Sequence, residues 1–161
     1  MAGNSPSRAD KGLEIRTAKP EDLEEIYEIE RLSFKFPYPP SLLKSYLAIC
    51  KDLFIVACLR GRVVGYAISL IRCGSVGHLV SIAVHPSFRR RGIGRLLLKE
   101  SIERLKRKGV RGVRLEVRVS NSPAISLYHS YGFRVVGRIR KYYLDGEDCY
   151  VMYLDLVNER G

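Results

Sequence analysis

Apolar residues recur along this chain in two rhythms. Strict alternation over 13–18 and 112–119 predicts strands. In the second, Val113, Leu115, Val117 and Val119 take one side, and Arg114, Glu116 and Arg118 take the other. Helical spacing follows Pro20-Glu21-Asp22, where Leu23, Ile26, Tyr27 and Leu32 form an apolar face ending near Phe34. A second helix is predicted over 41–49. A third follows Gly92, with Leu96, Leu97, Ile102 and Leu105 inward, Lys99, Glu103, Arg104 and Arg107 outward, and Gly109 as its stop. Ser122 is placed as the N-cap of a fourth helix, with Pro123 at its first position and Gly132 at its end.

Further apolar runs predict strands over 53–59, 62–71, 77–84, 133–143 and 149–156. Arg60-Gly61 and Asp145-Gly146 read as turns, the first making a hairpin. The order is β-α-α-β-β-β-α-β-α-β-β. It predicts an α/β fold: a mixed, twisted sheet of about seven strands with helices on both faces. The crossover from 77–84 to 112–119 is expected to be parallel and right-handed. One domain is expected over 13–156, with tails at 1–12 and 157–161.

Charge narrows the partners. The 161 residues have a net charge of +11, which favours a phosphorylated cofactor, nucleic acid, the ribosome or an acidic peptide. Cys50, Cys58, Cys73 and Cys149 are scattered, with no C-x-x-C and no nearby histidine pair. Buried free thiols are expected rather than a metal site or disulfides. No apolar run reaches the roughly 18 residues of a membrane span, and the first residues hold no apolar signal region. A cytoplasmic protein without membrane contact is expected.

The candidate chemistry begins at the strand-turn-helix stretch from Val80 to Leu98. Arg89, Arg90, Arg91 and Arg95 surround Gly92 and Gly94 at a helix N-terminus, where main-chain N–H groups and the helix dipole favour an anion. No Lys-Ser/Thr follows, so this is not a Walker loop, and Leu97 stands where a dinucleotide fingerprint needs glycine. Taken alone, the turn is either a phosphate cradle or a basic helix cap. The aromatic, proline-rich stretch Phe34-Lys35-Phe36-Pro37-Tyr38-Pro39-Pro40 is either a loop pinned to the core by its rings or one wall of a binding pocket. Glu116 alone also reads as a solvated acid paired with Arg114 or Arg118, Tyr128 as a core aromatic, and His78 as a polar strand end. His85 and His129 read as surface residues.

The block Val80 to Leu98, the run from Leu115-Glu116-Val117-Arg118 through Asn121 to Tyr128, and Tyr131-Gly132-Phe133 closely resemble the GNAT acetyltransferases. Within them the chain resembles the RimI and archaeal N-terminal acetyltransferase branch. Its Tyr142-Tyr143-Leu144-Asp145-Gly146-Glu147-Asp148 ending resembles NatA-type catalytic subunits. The resemblance covers about 13–156. It implies a GNAT fold and acetyl transfer from acetyl-CoA to the α-amine of protein N-termini, with CoA as product. It implies pantetheine contacts at Ile82, Ala83 and Val84, pyrophosphate binding by Arg89, Arg90, Arg91, Gly92, Ile93, Gly94 and Arg95, and further cofactor contacts at Asn121 and Tyr128.

By the same resemblance Glu116 is the general base, Tyr128 the general acid, and His78 an assistant to the base. Phe34, Phe36, Pro37, Tyr38, Tyr142 and Tyr143 enclose the peptide N-terminus. NatA-type relatives have glutamate at the position of Phe36, so a more apolar pocket is expected, with room for Met-starting termini. Partial burial is expected to raise the Glu116 pKa. Two alternatives stand beside this reading: a GNAT acting on lysine or small amines, and a non-catalytic RNA- or ribosome-binding module. Ribosome association through the basic surface is expected, and specific DNA binding is not.

Overall fold

The computed structural model describes residues 12–157. The expected tails lie outside the described residues, apart from Gly12 and Val157. Seven strands are ordered β1-β2-β3-β4-β5-β7-β6 in one mixed sheet. Two compact units divide the described residues: one holds 12–68 and Ser81–Ser101, and the other holds Ser69–Val80 and 102–157.

In the first unit, β1 (Leu13–Thr17) and β2 (Phe54–Leu59) pair antiparallel, and β2 pairs with β3 (Arg62–Arg72) as the predicted hairpin. Its turn, Arg60-Gly61, has both φ values positive, at 52° and 81°. That is the backbone hand matching the twist of a two-residue hairpin. β2 is buried from Phe54 through Cys58. α1 (Leu23–Ser33) buries Ile26 and Ile29, and α2 (Pro40–Cys50) buries Leu43 and Cys50. Ahead of α1, Asp22 accepts two hydrogen bonds from Arg16, at 2.7 and 2.9 Å, and one from the Lys19 N–H, at 2.8 Å.

In the second unit, the start of β4 (Val76–Val84) runs parallel to β5 (Gly112–Arg118), in register from Val76↔Gly112 to His78↔Arg114. β5 pairs antiparallel with β7 (Cys149–Asp155), which pairs with β6 (Arg134–Ile139). The alternation predicted for β5 holds: Val113, Leu115 and Val117 are buried, and Arg114 is exposed.

Five local expectations are corrected. Asn121, not Ser122, caps α4 (Ser122–Tyr131): its Oδ1 accepts the Ala124 N–H at 3.3 Å. β6 ends at Ile139 rather than at 143, because Lys141 turns to a positive φ of 50° and the Asp148 carboxylate accepts from both the Lys141 N–H and Arg138 Nε. On α3 (Ile93–Arg107), Leu96 is exposed and Leu98 buried. Leu96 falls off the stripe that Ile93, Leu97, Ser101 and Leu105 mark in four-residue steps. Cys73 is exposed on a turn, while the other three thiols are buried. His85 is buried; its Nδ1 accepts the Ser87 N–H and its main-chain N–H donates to Val64 O.

Candidate active site

The second unit assembles a chain of polar groups on one sheet face. β5 alternation puts Arg114 and Glu116 on the same side, and the parallel register sets His78 opposite Arg114. Glu116 Oε2 stands 2.7 Å from His78 Nε2, and Arg114 Nε donates to Glu116 Oε1 at 3.0 Å. Arg72 Nε donates to His78 Nδ1 at 2.8 Å. Arginine has no acceptor, so Nδ1 carries no proton and Nε2–H donates to Glu116.

The Glu116 side chain is only 11% exposed. Burial pushes its pKa up, but His78 and Arg114 outweigh it, leaving the group below the ordinary glutamate value. The expected upward shift is therefore corrected: Glu116 is a fixed, ionised carboxylate. Arg72 is the partner that sequence reading missed. It is a strand-end arginine like many others, and only the turn between β3 and β4 brings it to His78.

The loop after β6 is held by a second network. Arg118 NH1 donates to Asp145 and to Glu147, at 2.9–3.1 Å. Its guanidinium lies 4.0 Å from the centre of the Tyr143 ring. Glu147 also accepts the Ser120 N–H at 2.9 Å. Tyr142 and Tyr143 meet edge to face, with Tyr142 exposed. Tyr128 is buried against Phe133, and burial raises its pKa well above that of an ordinary tyrosine.

In the first unit, Ile82 and Val84 are half-buried while Ser81 and Ala83 are buried. Arg89 is exposed; its Nε donates to Val84 O at 3.0 Å and its NH2 to Ser33 Oγ at 3.1 Å. Arg90 and Arg91 are exposed, and Arg91 lies over the Phe88 ring. Arg90 and Gly92 both have positive φ, 64° and 80°. The loop stretch keeps Phe34 and Phe36 exposed, while the half-buried Tyr38 ring packs against Tyr46.

A family model described as the acetyltransferase (GNAT) family matches residues 23–133. The chain belongs to this family. An N-alpha-acetyltransferase of Sulfurisphaera tokodaii is 42% identical over 160 residues, covering 91% of this chain and 96% of the relative. The [ribosomal protein bS18]-alanine N-acetyltransferase of Escherichia coli is 34% identical, covering 88% and 97%. The crystal structure of Ard1 from Thermoplasma volcanium superposes with a TM-score of 0.87 at 29% identity, covering 89% and 97%. This GNAT chain therefore has the fold and the acyl-transfer class that its motifs imply.

The turn of this GNAT chain suits an acetyl-CoA pyrophosphate on its own chemistry. A Cβ built on Gly92 meets nothing within 4 Å, so the main chain there is open to a ligand. The first turn of α3 directs N–H groups lacking intrahelical acceptors to the same end.

Proposed function

We propose that this protein transfers the acetyl group of acetyl-CoA to the α-amine of protein N-termini, with Glu116 as the base and Tyr128 as the proton donor. Acetyl-CoA supplies the acyl group as a thioester, activated for direct attack by the amine. Ile82, Ala83 and Val84 hold the pantetheine arm. The N–H groups of residues 91–95 and the side chains of Arg90, Arg91 and Arg95 hold the pyrophosphate, while Arg89 braces the turn. Asn121 caps α4 with its oxygen, and its amide N–H donors would serve the cofactor.

The Arg72–His78–Glu116–Arg114 chain is the observation on which this reading rests. It fixes an ionised carboxylate with lone pairs left to receive, through water, the proton that the amine loses. The free α-amine has a pKa of about 7.7–8.0, so part of it is already neutral near pH 7. Tyr128 holds its proton at Oη. With its pKa raised by burial, it serves as a hydrogen-bond donor to charge developing at the leaving sulfur, more than as a strong acid.

Phe34, Phe36, Pro37 and Tyr38, and separately Tyr142 and Tyr143, contact the peptide N-terminus. The exposed Phe34 and Phe36 rings support acceptance of apolar termini. The net charge of +11 supports salt-sensitive association with the ribosome, a polyanion. Acetylation of peptides beginning Ser, Ala and Met-Leu tests the reading. Turnover with Met-Leu at least equal to that with Ser is expected, and a strong preference for Ser defeats the apolar pocket. Thermal stabilisation by CoA is expected. Its absence, together with unchanged turnover in Glu116→Gln and Tyr128→Phe, defeats the mechanism.

A further inference from the structure

Residues 37–40 read Pro-Tyr-Pro-Pro, so this stretch owns a single main-chain N–H, that of Tyr38. That N–H donates to Glu30 Oε1 at 2.9 Å. Glu30 sits on α1 four residues after Ile26, on the buried stripe, and is 2% exposed. Its other oxygen accepts the hydroxyl proton of Tyr66, which is itself fully buried on β3. The Tyr66 hydroxyl also lies 3.2 Å from Ser81 Oγ, on the residue preceding Ile82.

A buried carboxylate is costly unless its oxygens are bonded, and a leucine or methionine would fill the same space without that cost. Burial raises the pKa of Glu30, the direction expected of a carboxylate removed from water. What the acid provides, and an apolar residue cannot, is an acceptor for the Tyr38 N–H. The Phe34 and Phe36 rings are exposed and add little to anchoring the loop, while the Tyr38 ring packs against Tyr46.

We infer that Glu30 is a positioning residue for peptide acceptance: it fixes the 34–38 loop through the Tyr38 N–H and, through Tyr66 and Ser81, references that loop to the strand carrying Ile82, Ala83 and Val84. The inference rests on the reading that residues 34–38 meet the peptide. Glu30 touches no reacting atom. It sets where the acceptor arrives, so its loss acts on the peptide KM and leaves the acetyl-CoA KM and kcat alone. Glutamine keeps the acceptor oxygen and so preserves the device; methionine does not.

The test is steady-state kinetics on Glu30→Gln, Glu30→Met, Tyr66→Phe and Phe36→Ala with Met-Leu and Ser peptides. Glu30→Met is expected to raise the peptide KM about tenfold, with the acetyl-CoA KM and kcat within about twofold and Glu30→Gln close to wild type. Tyr66→Phe, which keeps the ring and loses one bond to the carboxylate, is expected to raise the peptide KM about threefold. It decides the question if Glu30→Met does not fold. Equal losses in both KM values and kcat, or Glu30→Gln as impaired as Glu30→Met, overturn the positioning role. If Phe36→Ala changes the peptide KM while Glu30→Met and Tyr66→Phe do not, the positioning role alone fails. An unchanged peptide KM in Phe36→Ala overturns the reading of the loop and the inference with it.

Discussion

His78 Nε2 and Glu116 Oε2 lie 2.7 Å apart, and the proton between them belongs to the histidine. Arg72 dictates this by donating to the other ring nitrogen. The carboxylate stays ionised, with Oε2 on His78 and Oε1 on Arg114. Glu116→Gln is expected to lower kcat by about 100-fold or more while the CoA affinity stays within about twofold. Stopped-time acetylation assays and calorimetry check the two halves. His78→Ala is expected to cost about tenfold in kcat, since it removes the brace and not the base.

Acidity offers a second check. Glu116 is held below the ordinary glutamate value, so it is already charged through the working range. The acid limb of kcat/KM then reports the substrate amine, falling below about pH 8 with unit slope. An acid limb that does not move when the peptide amine is replaced by one of lower pKa contradicts this assignment. Glu116 also contributes to stability. A depressed pKa gives stabilisation present above the unfolded value and lost as pH falls through the folded one.

Tyr128→Phe is expected to reduce kcat about 10- to 100-fold, with little change in either KM. Burial lifts the Tyr128 pKa, so wild-type kcat is expected to show no alkaline break up to about pH 10. Fluorescence titration with CoA separates a lost donor from a lost binding contact.

At the turn, Gly92 has φ of 80°. Alanine there costs about 1–2 kcal/mol of backbone strain in that region, even though its methyl meets open space. The strain distorts the N–H groups aimed at the pyrophosphate. Gly92→Ala is expected to weaken CoA binding about tenfold with a smaller effect on the peptide KM. Calorimetric Kd values for CoA and for pantetheine, which lacks the pyrophosphate, check it, because only the former should respond.

Asp22 reports on fold stability alone. Its side chain is 8% exposed and accepts from Arg16 twice and from the Lys19 N–H. Asp22→Ala is expected to cost about 1.5–3 kcal/mol, the range for hydrogen bonds to a charged group, measured by urea unfolding. The Arg16 hydrogen bonds hold the Asp22 pKa below its ordinary value. The difference from wild type is therefore present at neutral pH and shrinks as pH falls below about 4.

The elements themselves were written in the chain. Alternation over β5, the Pro20-Glu21-Asp22 opening of α1 and the glycine stops at Gly109 and Gly132 are local features, and local backbone preference decides them. The motifs at Arg89–Arg95 and Leu115–Tyr128 were enough to name a family, because their residues are neighbours in sequence. What sequence could not decide was pairing across distance. Nothing in the run around Arg72 says that it caps His78. Glu30 looks like one more acid on an acidic helix until Tyr66 and the proline-rich loop close over it. Nothing in the basic run says that Arg89 also donates to Val84 O and Ser33 Oγ. The direction of the Glu116 pKa depends on which hydrogen-bond donors surround a largely buried carboxylate. Charge and hydrogen-bond energies depend on separations of a few ångströms, and only the folded chain sets those.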